Sequence, residues 1–300
     1  MRIVVAIVTY RRPEGLKRTL ASLAPALARV EIEGHECRVL VVDNDPERTA
    51  DVGCHGLDVE VVSEETPGIA AARNRALLQR DADEAIAFVD DDEMVTEHWL
   101  IAHVRALGEN RGGASFGPVR PQFGADAPSW VVRGGFFERK EAAPDGEPRH
   151  PATNNVLIAP WLLDTHPELV FSEEFSLTGG SDTDFFKRLK EASGARYIWT
   201  AQAVVDESVP SQRANWRWIW RRNVRLGNVS ARVRFAARPR VLVGSIGAVR
   251  VVYGGAALIA ALAMRRPIAP SLTQVPKGYG MMQWAAGKKT IEYARPAPRR

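Results

Sequence analysis

Asp90, Asp91 and Asp92 stand side by side at the end of the apolar run Ala85–Val89, with Glu93 directly behind them. Carboxylates this close cannot all ionise unless water or a cation offsets their repulsion. Carboxylate oxygens suit hard divalent ions, and Mg²⁺ is typically held by one or two carboxylates together with substrate phosphates. The same run could instead be a solvated acidic turn ahead of a helix opening at Thr96, since acids are favourable near helix N-termini. GGSD, opening GGSDTDFFKRL, offers two permissive glycines and then acceptors suited to cap a following helix.

Position discriminates between these readings, and position comes from the elements. Strands are expected at Arg2–Thr9, Arg38–Asp43, Val59–Ser63, Ala85–Val89 and Ala114–Val119, and helices at Pro13–Arg29, Ile69–Arg80, Thr96–Glu109 and Asp182–Ala192. Such alternation implies an α/β fold with a mostly parallel central sheet and helices on both faces. Open sheets of this kind bind ligands beyond the carboxyl ends of their strands. Thr9-Tyr10-Arg11, Asp43-Asn44-Asp45 and Asp90–Asp92 all follow apolar strands, so they are expected on one edge. Residues 122–151, rich in Pro, Gly and aromatics, read as an irregular excursion. No repeat, heptad pattern or low-complexity tract is present.

The 300 residues suffice for one large domain with an attachment, and a composition that is 45% hydrophobic and 25% charged argues against wholesale disorder. Cys37 and Cys54 have no paired ligand spacing and are expected as reduced thiols in a cytosolic setting. The start, MRIVVAIVTYRRPEG, carries charge too early for a signal peptide and reads as a first strand. The six histidines lack metal-ligand spacing and are expected on the surface or in the core. The net charge of +4 conceals an asymmetry: residues 1–210 hold 22 Lys/Arg against 35 Asp/Glu, and residues 211–300 hold 18 against Glu292 alone. The basic end points to a polyanion: nucleic acid, an anionic leaflet or a phosphorylated substrate.

Taken in order, TYRRPEGLKRTLASL, VVDND, TPGIAAARNRAL, FVDDDE, TNNVLI and GGSDTDFFKRL resemble the inverting family-2 glycosyltransferases of the GT-A fold, over about residues 1–230. The resemblance implies a nucleotide-sugar donor, with Thr9, Tyr10 and Arg11 lining the base and ribose pocket and Asp43 facing a uracil-like ring; Asp43 could also be a turn residue. It implies that Gly68, Arg73 and Asn74 lie under the nucleotide, although Arg73 could be a surface ion-pairing residue. It places Asp90 towards the ribose and Asp92 on Mn²⁺ or Mg²⁺, with Asp91 a spacer. Asp182 matches the catalytic base, a carboxylate that takes the proton of the attacking hydroxyl. It could instead simply cap the helix, and Asp184, two residues on, is its rival. Ser181 stands where relatives commonly have Glu. Thr153, Asn154 and Asn155 are implied as polar contacts to the acceptor or donor sugar, with Asn154 and Asn155 assigned to the acceptor, although amide pairs also serve ordinary turns. Glu207, with Asp206 as rival, is implied beside the metal.

Trp216–Leu226 (WRWIWRRNVRL) reads as a helix with Arg217, Arg221 and Arg225 on one face. Relatives close such a helix over the diphosphate, which implies that role for Arg221 or Arg222; a solvated face is the alternative. Val241–Met264 is apolar, but Arg250 interrupts it, leaving Val251–Met264, which is short of the roughly 20 residues a span needs. Interfacial or re-entrant attachment is expected, with burial against the domain as the alternative. GYGMMQWAAGKK resembles the tails of bacterial exopolysaccharide enzymes of the succinoglycan type, which act on polyprenyl-diphosphate-linked sugars at the cytoplasmic face of the inner membrane.

The expected organisation is therefore a GT-A domain over 1–230 and a basic, membrane-associating helical region over 231–300. The expected activity is metal-dependent inverting transfer of a hexose, from a UDP-sugar, to a lipid-diphosphate-linked saccharide for cell-surface polysaccharide. A sugar nucleotidyltransferase would need a Gly-rich basic phosphate loop where TYRRPEG stands. A membrane- or nucleic-acid-binding module without catalysis would leave the retained carboxylates unused, and no nucleic-acid signature is present.

Overall fold

The computed structural model describes residues 1–53, 56–138, 142–143, 145–176, 178–266 and 268–288. Cys54 and the chain end from Lys289 lie outside the described residues, so the expectations for that thiol and for the basic ending are not addressed by it. In chain order the elements are β1 (Arg2–Thr9), α1 (Pro13–Ile32), β2 (Glu36–Asp43), β3 (Val59–Ser63), α2 (Ile69–Gln79), β4 (Glu84–Asp90) and β5 (Glu93–Val95). Next come α3 (Trp99–Asn110), β6 (Ala114–Phe116), β7 (Val119–Phe123), α4 (Ser129–Val132), β8 (Asn155–Ile158), α5 (Pro160–Asp164) and α6 (Ser181–Ser193). The chain continues with β9 (Tyr197–Trp199), β10 (Val205–Val209), α7 (Trp216–Val233), α8 (Arg240–Ala263), α9 (Ala269–Leu272) and α10 (Gln274–Ala285).

The main sheet has the order β3-β2-β1-β4-β8-β6-β9. Its first four strands are parallel, and β8 runs against both neighbours, β4 and β6. The register sets Thr9 beside Asp43 and Val8 beside Asp90, so the polar ends of β1, β2 and β4 share one edge. Alternation along β1 explains the two-sided core. Ile3, Val5 and Ile7 pack with Leu16, Leu20 and Leu23 of α1 and with Trp99 and Val104 of α3. Val4 and Ala6 face Ala72 and Ala76 of α2 and Phe185, Phe186 and Leu189 of α6.

The expected strand Ala114–Val119 is in fact two strands. Gly117 and Pro118 end β6, and β7 joins a separate sheet of order β5-β10-β7. The helix expected from Thr96 begins at Trp99.

The chain divides into two compact units: 1–121, 139–176 and 181–208 in the first, and 122–138, 177–180 and 209–300 in the second. Within the second unit, Val131, Phe137, Val209, Ala214 and Ile219 form one apolar cluster, and Ala231, Val243 and Met281 another. The Asn215 side chain caps α7 by accepting from Trp218 N–H at 3.0 Å. Arg250 does not break the apolar helix. Its Nε donates to Gln274 Oε1 at 2.7 Å, so the charge turns towards α10 and α8 runs unbroken for 24 residues. Among the described residues this one helix is long and apolar enough to cross a membrane.

Candidate active site

The site forms where β1, β2 and β4 end. Thr9 Oγ1 donates to Asp91 Oδ2 at 2.8 Å, and Arg12 Nη1 donates to Asp91 Oδ1 at 3.0 Å and to Asp92 Oδ2 at 2.9 Å. The middle aspartate, expected as a spacer, is therefore the buried anchor of the acidic turn. Asp90 N–H donates to Glu93 Oε2 at 3.0 Å, and Asn154 Nδ2 donates to Glu93 Oε1 at 2.9 Å. Buried Glu93 thus fixes the turn from below and ties it to the start of β8. It was not singled out from sequence; its place one residue past the triple Asp was the available signal.

Burial pushes the Asp90 carboxyl up to about 7; Arg73 opposes this, and the carboxylates of Asp92, Asp91 and Glu207 add to it. The pairing of Glu207 with Glu93 across β10 and β5 puts Glu207 beside the acidic turn. Asp206 pairs with Met94 instead, and Ser208 N–H donates to the Asp92 carbonyl at 3.2 Å.

The side of the nucleotide pocket expected from β2 is held by backbone. Asp43 is buried and accepts from Asp45 N–H at 3.0 Å and Ala50 N–H at 2.7 Å, which is the turn role. Arg11, at φ 54°, pairs with Asp45 at 2.9 Å and Glu47 at 3.0 Å and lies 5.4 Å from the Tyr10 ring centre. Asn44 donates to the carbonyls of Glu64 and Thr66 and accepts from Gly68 N–H at 3.0 Å, pinning the loop before α2. Gly68 sits at φ 131°, where a Cβ would meet the Ser176 side chain at 2.5 Å, so only glycine fits.

Arg73 is buried rather than a surface pairing residue. Its Nη1 donates to Ser181 Oγ at 3.1 Å, and its guanidinium lies 5.7 Å from the Phe171 ring centre and within the field of Asp90. Arg73 therefore hydrogen-bonds the first residue of α6, one position before Asp182, while its charge acts on Asp90. Asp182 accepts from its neighbour Thr183 N–H at 2.8 Å, whereas Asp184 is occupied by Arg188 at 2.8 Å. Of the two acids, Asp182 is the one without a cation partner among the described residues.

Two expected contacts turn out to be structural. Asn74 exchanges both amide bonds with the backbone of Phe171, at 2.9 and 2.7 Å, which stitches α2 to the segment before α6. Asn155, 2% exposed, is saturated. Its oxygen accepts from Trp99 Nε1 and faces His103 Nε2, and its nitrogen donates to the carbonyls of Pro118 and Ala203. An amide has two donors and two acceptor positions, so none is left for a sugar. Arg221 and Arg222 lie on α7 in the second unit. Arg221 is exposed, and Arg222 stacks over Phe137 and Trp218 at 5.5 and 5.3 Å.

Among the described residues no group of three or more His, Cys, Asp or Glu is arranged to hold a metal ion. The donors nevertheless fit a hard divalent ion that completes its shell with phosphate oxygens and water. They are all oxygen, and a cation, the Arg12 guanidinium, already bridges Asp91 and Asp92.

A sequence model described as Glycosyl transferase family 2 matches residues 4–158. The chain is 34% identical over 246 residues to the succinoglycan biosynthesis protein ExoM of Rhizobium meliloti (strain 1021), covering 78% of this chain and 75% of that protein. Among solved structures, S. aureus TarS 1–349 superposes with a TM-score of 0.52 at 16% identity, covering 99% of this chain and 98% of that one. The same fragment in complex with UDP-GlcNAc gives 0.52 at 15% identity, again over 99% and 98%. Against a longer TarS chain the match covers 82% of this chain but 43% of that one, at 18% identity and a TM-score of 0.52.

Proposed function

The chain belongs to glycosyl transferase family 2 and has the GT-A fold, and on that premise we propose that it transfers a hexose from a UDP-sugar to a lipid-diphosphate-linked saccharide, with inversion. The observation that carries this reading is Arg73, which lies in the field of Asp90 and hydrogen-bonds the residue preceding Asp182. Its charge acts on a donor-side carboxylate while its hydrogen bond holds the residue before a candidate base.

Asp182 takes the proton of the acceptor hydroxyl as that oxygen bonds to the anomeric carbon. The bond from the same carbon to the diphosphate oxygen breaks, and the nucleoside diphosphate departs. Charge at the anomeric carbon is oxocarbenium-like, as in glycoside hydrolysis. Asp92, with Asp90 and Glu207 nearby, would hold Mn²⁺ or Mg²⁺, whose chemistry is to neutralise charge on the departing diphosphate. Thr9, Tyr10, Arg11, Asp43 and Gly68 shape the nucleotide side, and Asn154 serves the acceptor. Arg221, the exposed member of its pair, is assigned to the diphosphate on family resemblance.

The TarS fragment solved with UDP and with UDP-GlcNAc supports a UDP-sugar donor. The ExoM relative supports a role in exopolysaccharide synthesis. A catalytic region over 1–230 and a membrane-associating region over 231–300 fit the exposed apolar face of α8, with Arg238 and Arg240 at its start and Arg265 and Arg266 just after its end. Attachment to the cytoplasmic face of the inner membrane follows from a lipid-linked acceptor. A panel of UDP-, GDP- and dTDP-sugars, titrated with Mn²⁺ present, tests the donor assignment. Saturable binding confined to UDP-sugars is expected; release of pyrophosphate from a nucleoside triphosphate would replace this reading with nucleotidyl transfer.

A further inference from the structure

Arg12 has a place in the acidic turn that the proposed transfer does not yet use. It is the residue that precedes α1, and one of its nitrogens, Nη1, bridges Asp91 Oδ1 at 3.0 Å and Asp92 Oδ2 at 2.9 Å. The contact is built in. A Cβ at Gly15 would come within 2.6 Å of the Asp91 carbonyl, so the first turn of α1 rests directly on the acidic turn. Asp91 is anchored from its other oxygen by Thr9, and the Asp92 side chain is the more exposed of the two, at 18% against 7%. The Arg12–Asp92 half of the bridge is therefore the half that can open.

Building on the assignment of Asp92 as an ion ligand, we propose that Arg12 is a positioning residue that holds the Asp92 carboxylate in the absence of a divalent ion and must release it for the ion to load. Two positive charges compete for one carboxylate oxygen, so the ion alone binds weakly. The donor's diphosphate relieves this competition, because it supplies further oxygens to the ion and an anion to the freed guanidinium. Loading of ion and donor is thereby coupled, and by linkage each strengthens the other.

Free Mn²⁺ measured by electron paramagnetic resonance, with protein and Mn²⁺ alone, tests this in the wild type and in Arg12→Gln. The variant is expected to bind Mn²⁺ about fivefold more tightly, the scale of a partly exposed ion pair, and the gap is expected to narrow when UDP is added. A residue that merely braced the turn would give the opposite sign, so equal or weaker binding in the variant overturns the proposal. If neither protein takes up Mn²⁺ even with UDP, the ion assignment of Asp92 falls and this inference with it. Should the variant not fold, wild-type protein still decides. Mg²⁺ is expected to speed hydrogen exchange at the Arg12 guanidinium, followed by ¹⁵N resonance, and an unchanged signal overturns the proposal.

Discussion

Individual side chains divide here into those that face the space at the sheet edge and those spent on the scaffold, and hydrogen-bond capacity draws the line. Asn155 is the clearest case. Replacing it with Ala leaves Trp99 Nε1, His103 and two carbonyls short of partners, and the expected cost is about 2–4 kcal/mol in urea unfolding. An acceptor-binding role would instead leave stability unchanged and raise KM for the acceptor. The types and spacing of the triple Asp, Arg73 and Asp182 are legible in the sequence. What was not legible is how each amide or carboxylate is already occupied. Nothing in TNNVLI tells that one Asn is saturated by residues 37 to 56 positions away, and nothing in RNR tells that Asn74 pairs with the backbone of Phe171. Asp91 looked like a spacer because its partners, Thr9 and Arg12, are about eighty residues earlier.

At the scale of elements, the buried network between α3, β6 and β8 gives the chain a pH dependence. Burial lowers the His103 pKa to about 4, with the Asn155 hydrogen bond acting in the opposite direction. Asn155 has both amide hydrogens committed, so its oxygen accepts from His103 Nε2–H, and Nδ1 faces the Ser115 hydroxyl at 2.8 Å; the ring is neutral. The unfolded chain binds a proton near the ordinary histidine value while the folded chain resists it. Stability from this group is therefore intact above about pH 6.5 and falls as pH drops towards 4, by at most about 3 kcal/mol. Unfolding measured across that range should show the slope, and His103→Gln should flatten it. The strands and helices with clean periodicity, β1 to β4 and α1 to α3, were readable in advance. The short β5, β8, β9 and β10 were not, because three to five residues carry too little pattern and their pairing is set by distant partners. The unbroken run of α8 through Arg250 was hidden for a similar reason, since Gln274 supplies the partner from another helix.

For the whole molecule, the charge asymmetry and the outward apolar residues of α8 belong together. Residues 211–300 carry 18 Lys/Arg against a single acid, and Val249, Val252 and Ile259 are 69–73% exposed. Flotation with vesicles containing anionic lipid is expected, weakening as salt rises. Val252→Glu should lower it about tenfold while UDP binding stays unchanged; flotation that ignores both changes would remove the membrane from the account. The central claim, however, is that Asp182 acts as base on an acceptor while Asp90 and Arg73 serve the donor. Its most direct measurement is hexose transfer by Asp182→Asn beside UDP affinity by calorimetry. Loss of turnover by at least about a hundredfold with UDP affinity within twofold of the wild type is the predicted result; wild-type turnover in that variant would contradict it.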